Sequence, residues 1–522
     1  MFHSIYDDLQ AAAGKYAEFT ALVCRDSKVS YPQLLKNIDR ISLSLAEFCG
    51  AGDIISIMST NCLEAVYVIY AANKLGATVC MIPPDAGQKN IANALMKTES
   101  KILFVGPGML RPELSNQFAG MVSKIVLFPN TAKKNIFSSL KSRLSRQDSF
   151  ILNWEQFLSH REKNHKFPQV EENSTAVILC SGGTDGLRKL VEISNANMYS
   201  QISKIHDGED FVEGSLMLCG VPIYHGFGLT TCLHPMLCTG IGCALAHKIM
   251  PAAYSKLMET HRCKYAITVP SVMRNWVKTF PNDKNVGYID SIYIGGDGVT
   301  PEDFAAVNEW LARNGSNGKV FAGYGLTETC AAMAFTMPGS YNTASVGFPL
   351  SGISVRTIDP ETGEDCHGIP GELLVSGGTV MKGYYNDPEA TADALETDEN
   401  GNVWLHTGDV LLIGDDGQLY FKDRIKRMVV ISGNNVFPAA VQHEINTCSV
   451  VDTSVVVPYF DGNVQKLKAV VKLKPGFTEA EARGELLAFC REHLDAFSIP
   501  SLIEFTDEIE LTPMGKINYR AY

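Results

Sequence analysis

Val177-Ile178-Leu179-Cys180-Ser181-Gly182-Gly183-Thr184-Asp185-Gly186-Leu187-Arg188-Lys189 is the stretch on which the reading of this chain turns. An apolar run of strand length leads into a loop of Ser, Gly and Thr, and two cations close it. Glycines let backbone N–H groups turn toward phosphate oxygens, hydroxyls add donors, and Lys189 supplies compensating charge. The spacing is not that of a Walker A loop, which needs four residues between its first Gly and Gly-Lys-Ser/Thr. Read alone, the stretch is also compatible with an ordinary flexible turn.

Outward from this loop, Ile54-Ile55-Ser56-Ile57-Met58 and Ile102-Leu103-Phe104-Val105 have strand length and end at polar residues or Gly. Helix-like stretches such as Leu63 to Leu75 lie between such runs, with apolar residues at helical spacing. The alternation predicts an α/β fold with parallel, doubly wound sheets. At 522 residues the chain exceeds one ordinary core and should divide into at least two domains. The boundary is expected near Asp423 to Arg427, where Met428-Val429-Val430-Ile431 opens a shorter α+β pattern. Residues 1–423 then form a large N-terminal domain and 424–522 a small C-terminal one.

Hydrophobic content of 45% with 20% charged residues marks a folded soluble protein rather than a disordered one. A net charge of -12 argues against a nucleic-acid footprint, which needs clustered Lys and Arg. The 14 cysteines are scattered without a CxxC pair, which suits a reducing, cytoplasmic setting and offers no zinc-ligand spacing. The first residues lack the basic and apolar regions of a signal peptide. Gly214 to His247 has no Asp, Glu, Lys or Arg and is long enough to span a bilayer. Its six glycines, Pro222 and Pro235 cut it into short pieces, so a buried strand, a loop and a helix are expected instead of a transmembrane helix.

Three further motifs carry chemistry. In Tyr324-Gly325-Leu326-Thr327-Glu328-Thr329 the ring can stack on a base, a Thr hydroxyl can reach a phosphate, and Glu328 is a hard ligand for Mg²⁺. In Trp404-Leu405-His406-Thr407-Gly408-Asp409 a short carboxylate can accept both ribose hydroxyls. Leu511-Thr512-Pro513-Met514-Gly515-Lys516-Ile517 is a turn presenting a Lys. Singly, each also fits a structural turn or a solvated side chain.

Taken in order, these motifs resemble those of the superfamily of adenylate-forming enzymes: acyl-CoA synthetases, peptide-synthetase adenylation domains and firefly-type luciferases. Further resemblances extend over nearly the whole chain. They comprise Val29-Ser30-Tyr31 with Leu34, Asn61 with Glu64, Gly76-Ala77, Pro222-Ile223-Tyr224-His225-Gly226-Phe227-Gly228-Leu229, Gly295-Gly296-Asp297-Gly298, Gly371-Glu372-Leu373 and Gly383-Tyr384. The resemblance implies a small distorted β-barrel within the N-terminal domain and a mobile C-terminal domain. It implies that Ser181, Gly182, Gly183, Thr184 and Lys189 hold the triphosphate of ATP, and that Glu328, with Thr184, binds Mg²⁺. Gly296, Asp297 and Gly298 would meet adenine, with Tyr324, Gly325 and Thr327 beside it, and Asp409 and Arg424 would hold the ribose. Tyr224, His225, Gly226, Val272, Gly323 and Ala331 would line the acid pocket. Lys426 would be the hinge, and Lys516 would bridge the carboxylate and the α-phosphate, with Thr184, Glu328 and His225 as further catalytic residues.

The implied activity is an acid–thiol ligase: attack of a carboxylate on ATP with loss of pyrophosphate, then transfer to a thiol. Positioning and fixed cations supply most of such catalysis. The pocket motif has no acid to hold an ammonium group, which favours an acyl or aryl acid over an amino acid. CoA is the expected acceptor, with the phosphopantetheine of a separate carrier protein as alternative; a catalytically weakened acyl- or nucleotide-binding relative is the other reading. Three positions depart from the resemblance. Asp185 stands where Thr or Ser is usual, Arg188 where Pro is frequent, and Asn195 where related ligases often carry His.

Overall fold

The computed structural model describes residues 4–110, 117–129, 150–162, 164–181, 188–206, 211–247, 250–280, 285–336, 345–431, 434–462, 464–511 and 517–522. One sheet has eight strands, in the order Gly383–Tyr384, Leu190–Ser194, Thr175–Cys180, Thr78–Met81, Ile54–Met58, Ile102–Val105, Lys124–Leu127, Ile151–Asn153. From Thr175–Cys180 to Ile151–Asn153 every pairing is parallel. Its inner strands are buried on both faces: Ile55, Ile57 and Val79 face one core, and Met58, Cys80 and Leu103 face another. That two-sided burial is why these strands read as unbroken apolar runs.

The second sheet has nine strands: Phe348–Pro349, Ala331–Phe335, Lys319–Leu326, Ser291–Gly295, Tyr265–Thr268, Leu216–Cys219, Gly242–Leu245, Thr20–Cys24, Ser27–Ser30. Its centre is parallel as expected. At their edges both sheets add antiparallel pairs, most of them through local connections, whereas Gly383–Tyr384 reaches Leu190–Ser194 from far along the chain. The consequence matters for the site. The chain between Cys180 and Leu190 joins two antiparallel neighbours, so it is not a strand-to-helix crossover.

The uncharged stretch 214–247 becomes strand Leu216–Cys219, a π-helical turn Phe227–Leu233, a short helix His234–Cys238 and strand Gly242–Leu245. Among the described residues no helix is long and apolar enough to cross a membrane. A third, five-stranded sheet lies before residue 425: Ile353–Ile358, Gly371–Gly377, Val403–Ile413 and Leu395–Thr397 pair antiparallel, and Leu419–Arg424 joins Val403–Ile413. Beyond residue 428, a third core gathers Val429, Val441, Ile445, Val456, Leu467, Ala482, Leu486 and Ile503 from two strand sets and two helices.

Candidate active site

The edge pairing of Gly383–Tyr384 with Leu190–Ser194 sets Tyr384 opposite Val191. Tyr384 is therefore beside the end of the glycine-rich loop, and the Lys189 ammonium lies over its ring, 4.2 Å from the centroid. Ser181 is buried and its N–H donates to the Lys189 carbonyl at 2.9 Å, closing the base of the loop. The Arg188 N–H donates to Asn90 Oδ1 at 3.2 Å. Gly182, Gly183, Thr184 and Asp185 lie outside the described residues.

The Tyr384 hydroxyl donates to Glu328 Oε1 at 3.0 Å, and the Met381 N–H donates to the Glu328 carbonyl at 2.9 Å. Burial, then the Glu328 charge, push the Tyr384 phenol far up, so it stays a donor. Glu328 sits on a 3₁₀ turn, Thr327–Thr329, followed by Cys330 at φ 55° and Ala331 at φ 70°. Two successive left-handed non-glycine residues are strained backbone, held by the strands on either side. Thr230 Oγ donates to the Cys330 carbonyl, and Gln201 Nε2 to that of Ala332 at 2.8 Å. Gly325 is required beside this turn, because a Cβ there would collide with the Ala331 carbonyl.

Asp409 is 1% exposed. Its Oδ2 accepts from the Tyr324 hydroxyl at 2.8 Å, and Arg424, its partner on the paired strand, brings Nε to 3.0 Å from Oδ1. The Arg424 contact is an ion pair of good distance but poor hydrogen-bond alignment, which leaves Oδ1 short of an aligned donor. Burial raises the Asp409 carboxyl above its ordinary range, while Arg424 and the Tyr324 hydroxyl pull it back. A carboxylate so placed has lone pairs left for hydroxyl donors. Behind it, buried Glu372 accepts from the Gly408 N–H at 3.0 Å and pairs with His406 Nδ1 at 3.2 Å.

Gly296, Asp297 and Gly298 are exposed at the end of strand Ser291–Gly295. Arg274, on the helix Pro270–Thr279 that also buries Val272, donates to the Gly298 carbonyl at 3.4 Å and to both Asp303 oxygens at 2.5 and 2.6 Å. The pocket motif is clamped by Asn61, which accepts from the Ile223 N–H at 2.8 Å and donates to the Val221 carbonyl at 3.0 Å. Tyr224 and His225 lie with ring centroids 4.9 Å apart. A Cβ on Gly226 would stand 3.3 Å from that of Ala331, so these two sites are neighbours. The Phe227 ring comes within 3.2 Å of where a Gly295 Cβ would stand, and the Phe335 ring lies across Gly323. Burial above all, then the Asp85 charge, push the Tyr224 phenol up, so it stays protonated.

Lys426 sits in a 3₁₀ turn, Ile425–Arg427, directly after Arg424. Lys516 lies outside the described residues; Leu511 and Ile517 on either side of it pair as a β-bridge. Arg427 lies over the Tyr519 ring at 4.0 Å, and the Asp297 charge is felt at that phenol. Among the described residues no group of three or more His, Cys, Asp or Glu gathers to cage a metal. Glu328, with one oxygen on Tyr384, fits a Mg²⁺ that arrives with phosphates and needs only one or two protein carboxylates.

The structure thus forms two groups, Lys189 with Tyr384 and Glu328, and Tyr324 with Asp409 and Arg424, carried on the one short stretch that runs from Tyr324 to Glu328. Tyr384, Asn61, Glu372, Phe227 and Phe335 escape the sequence reading as site residues. Tyr384, Asn61, Glu372 and Phe227 each carry a signal, since they fall in the ordered motifs, whereas Phe335 carries none.

A family model described as AMP-binding enzyme matches residues 9–385. The chain is 25% identical to a long-chain-fatty-acid–CoA ligase of Escherichia coli O6:H1, with 99% of this chain and 93% of that protein covered. It is 26% identical to 4-coumarate–CoA ligase-like 6 of Oryza sativa subsp. japonica, covering 94% of this chain and 81% of the relative. Among solved structures, the anthranilate CoA ligase AuaEII in complex with anthranoyl-AMP superposes with a TM-score of 0.86 at 19% identity, covering 100% of this chain and 97% of that one. ATP-bound MatB from Rhodopseudomonas palustris gives 0.84 at 21% identity, covering 100% and 98%.

Proposed function

Because the chain belongs to the family of AMP-binding enzymes, we propose that it is an AMP-forming acid–thiol ligase that activates an acyl or aryl carboxylic acid with ATP and passes it to CoA. The observation that carries this reading is the convergence of Lys189, Tyr384 and Glu328 on one side with Tyr324, Asp409 and Arg424 on the other. The first group suits a triphosphate with its cation, the second a ribose.

The carboxylate attacks the α-phosphorus in line, and pyrophosphate leaves. Lys189 supplies charge to the phosphates, and Tyr384 orients it. Mg²⁺ at Glu328 would neutralise charge developing on the phosphate oxygens. Asp409 receives the ribose hydroxyls, and Asn61 holds the pocket motif against the acid. Lys516, a compact cation on a long stem, bridges the two anions as they approach. Residues 424–522 act as a mobile domain turning at Lys426, which is supported by their separate core. The thiolate of CoA then displaces AMP. CoA as acceptor is supported by the relatives' names. The scattered thiols fit a cytoplasmic setting.

The test is ATP–pyrophosphate exchange across a panel of carboxylic acids, followed by product formation with CoA. Lys516→Ala should lose acyl-adenylate formation by at least about a hundredfold, the scale of a removed transition-state cation, while still converting supplied acyl-AMP to thioester. Equal loss of both half-reactions sinks the role of Lys516, and exchange with no acid sinks the ligase reading.

A further inference from the structure

Gly323 has an antiparallel partner, Phe335, whose ring lies so closely across it that any side chain at 323 would collide. Gly295 on the neighbouring strand has the Phe227 ring 3.2 Å from where its Cβ would stand, with the Gly323 carbonyl nearer still at 3.0 Å. Two aromatic rings therefore bound a floor made of bare backbone. A flat or short apolar body fits between such rings.

Phe335 also forms the wall of a narrow apolar cavity with Met217, Thr231, Ile267, Tyr293 and Leu350. The Thr231 hydroxyl already accepts from the Ala332 N–H at 3.2 Å. A cavity of this composition, about 30 Å³, offers water little and by itself has room for an apolar group of methyl or methylene size. Phe335 thus stands between the acid pocket at Gly323 and a second apolar space. It is 9% exposed and packs edge-on to Tyr293, with ring centroids 5.8 Å apart at 77°. Swinging it aside would break that packing and open a void, so the ring is a fixed partition.

We infer that Phe335 ends the acid pocket, so that this chain takes aryl or short acyl acids, and that the cavity behind the ring is length the natural enzyme does not use. The inference rests on the acid–thiol ligase reading and names its substrate class. Removing the ring joins the two spaces, and each methylene that then gains burial raises kcat/KM roughly fourfold.

The experiment measures kcat/KM by pyrophosphate release for straight-chain acids from short to long and for substituted benzoates, with the natural chain, Phe335→Ala, Phe335→Leu and Leu350→Ala. The natural chain should be best on benzoates or short acids and fall off with length. Phe335→Ala should move the optimum about two to four methylenes longer, a gain of roughly fifteenfold to a few hundredfold for those acids. Phe335→Leu should move it part of the way, and it carries the test if the Ala variant does not fold. Leu350→Ala widens the cavity but keeps the ring, so its length profile should match the natural one. A shared profile in all variants overturns the inference, as does a longer optimum from Leu350→Ala alone or a natural preference for long chains. Absence of pyrophosphate release with every acid would instead remove the ligase reading on which the inference stands.

Discussion

A single side chain, Tyr384, touches two functional groups at once. Its ring lies under the Lys189 ammonium and its hydroxyl donates to Glu328. A hydrogen bond to a charged group contributes about 1.5–3 kcal/mol, or roughly tenfold to a hundredfold. Tyr384→Phe should therefore raise the Mg²⁺ concentration needed for half-maximal adenylation by roughly tenfold, while the retained ring leaves Lys189 in place. Tyr384→Ala should in addition raise the KM for ATP. A Mg²⁺ titration of pyrophosphate exchange reads both, and an unchanged Mg²⁺ requirement in the Phe variant would contradict the positioning role. The candidate residues Lys189, Glu328, Tyr324 and Asp409 were legible because each sits in a short motif of phosphate- or sugar-binding chemistry. Tyr384 was visible as part of a Gly-Tyr pair, but its role was not, because that role exists only through strand pairing with residues nearly two hundred positions away.

Among the elements, Asn195 shows how a position beside a motif can be structural. It opens the helix Asn195–His206 and is fully buried. Its Oδ1 accepts from the Ile5 N–H at 3.1 Å and from Asn73 Nδ2 at 2.9 Å, while its own Nδ2 donates to the Glu171 and Ser174 carbonyls, both at 3.2 Å. One amide thus pins the first helix, the helix Leu63–Lys74 and the chain entering strand Thr175–Cys180. Asn195→Ala leaves two buried donors unpaired, which costs about 2–4 kcal/mol. Denaturant unfolding should show that loss, while kcat of the folded enzyme changes by less than about threefold, since nothing at the reacting atoms moves. Full stability with lost activity would return Asn195 to the site. The antiparallel hairpin around the glycine-rich loop belongs to the same scale. Apolar pattern alone does not distinguish a returning strand from a crossover, because both are buried runs of similar length.

For the whole molecule, the proposal is a small unit that turns on a short hinge. Buried Asp423 spans that hinge: its Oδ1 accepts from the Arg424 N–H and its Oδ2 from the Ala439 N–H, each at 2.7 Å. The second bond ties the strand before Lys426 to the helix Pro438–Asn446 after it, so rotation must release it. Lys426→Pro fixes the backbone at the hinge and removes one N–H. It should leave pyrophosphate exchange within about threefold and lower acyl-CoA formation by at least about tenfold, because the second half-reaction needs the turn. Equal effects on both half-reactions would contradict a hinge there.

Strand and helix periodicity and the order of short motifs lie along the chain itself, so the sequence alone determined the α/β class and the family, and it named most of the groups proposed to meet ATP. The sheet edges were decided by tertiary pairing. Antiparallel pairings in three different sheets carry Tyr384 to Lys189, Phe335 onto Gly323 and Arg424 to Asp409. Such contacts depend on which strands become neighbours and in what register, a choice made by burial across the whole fold. The acid this chain accepts is therefore a property of tertiary structure.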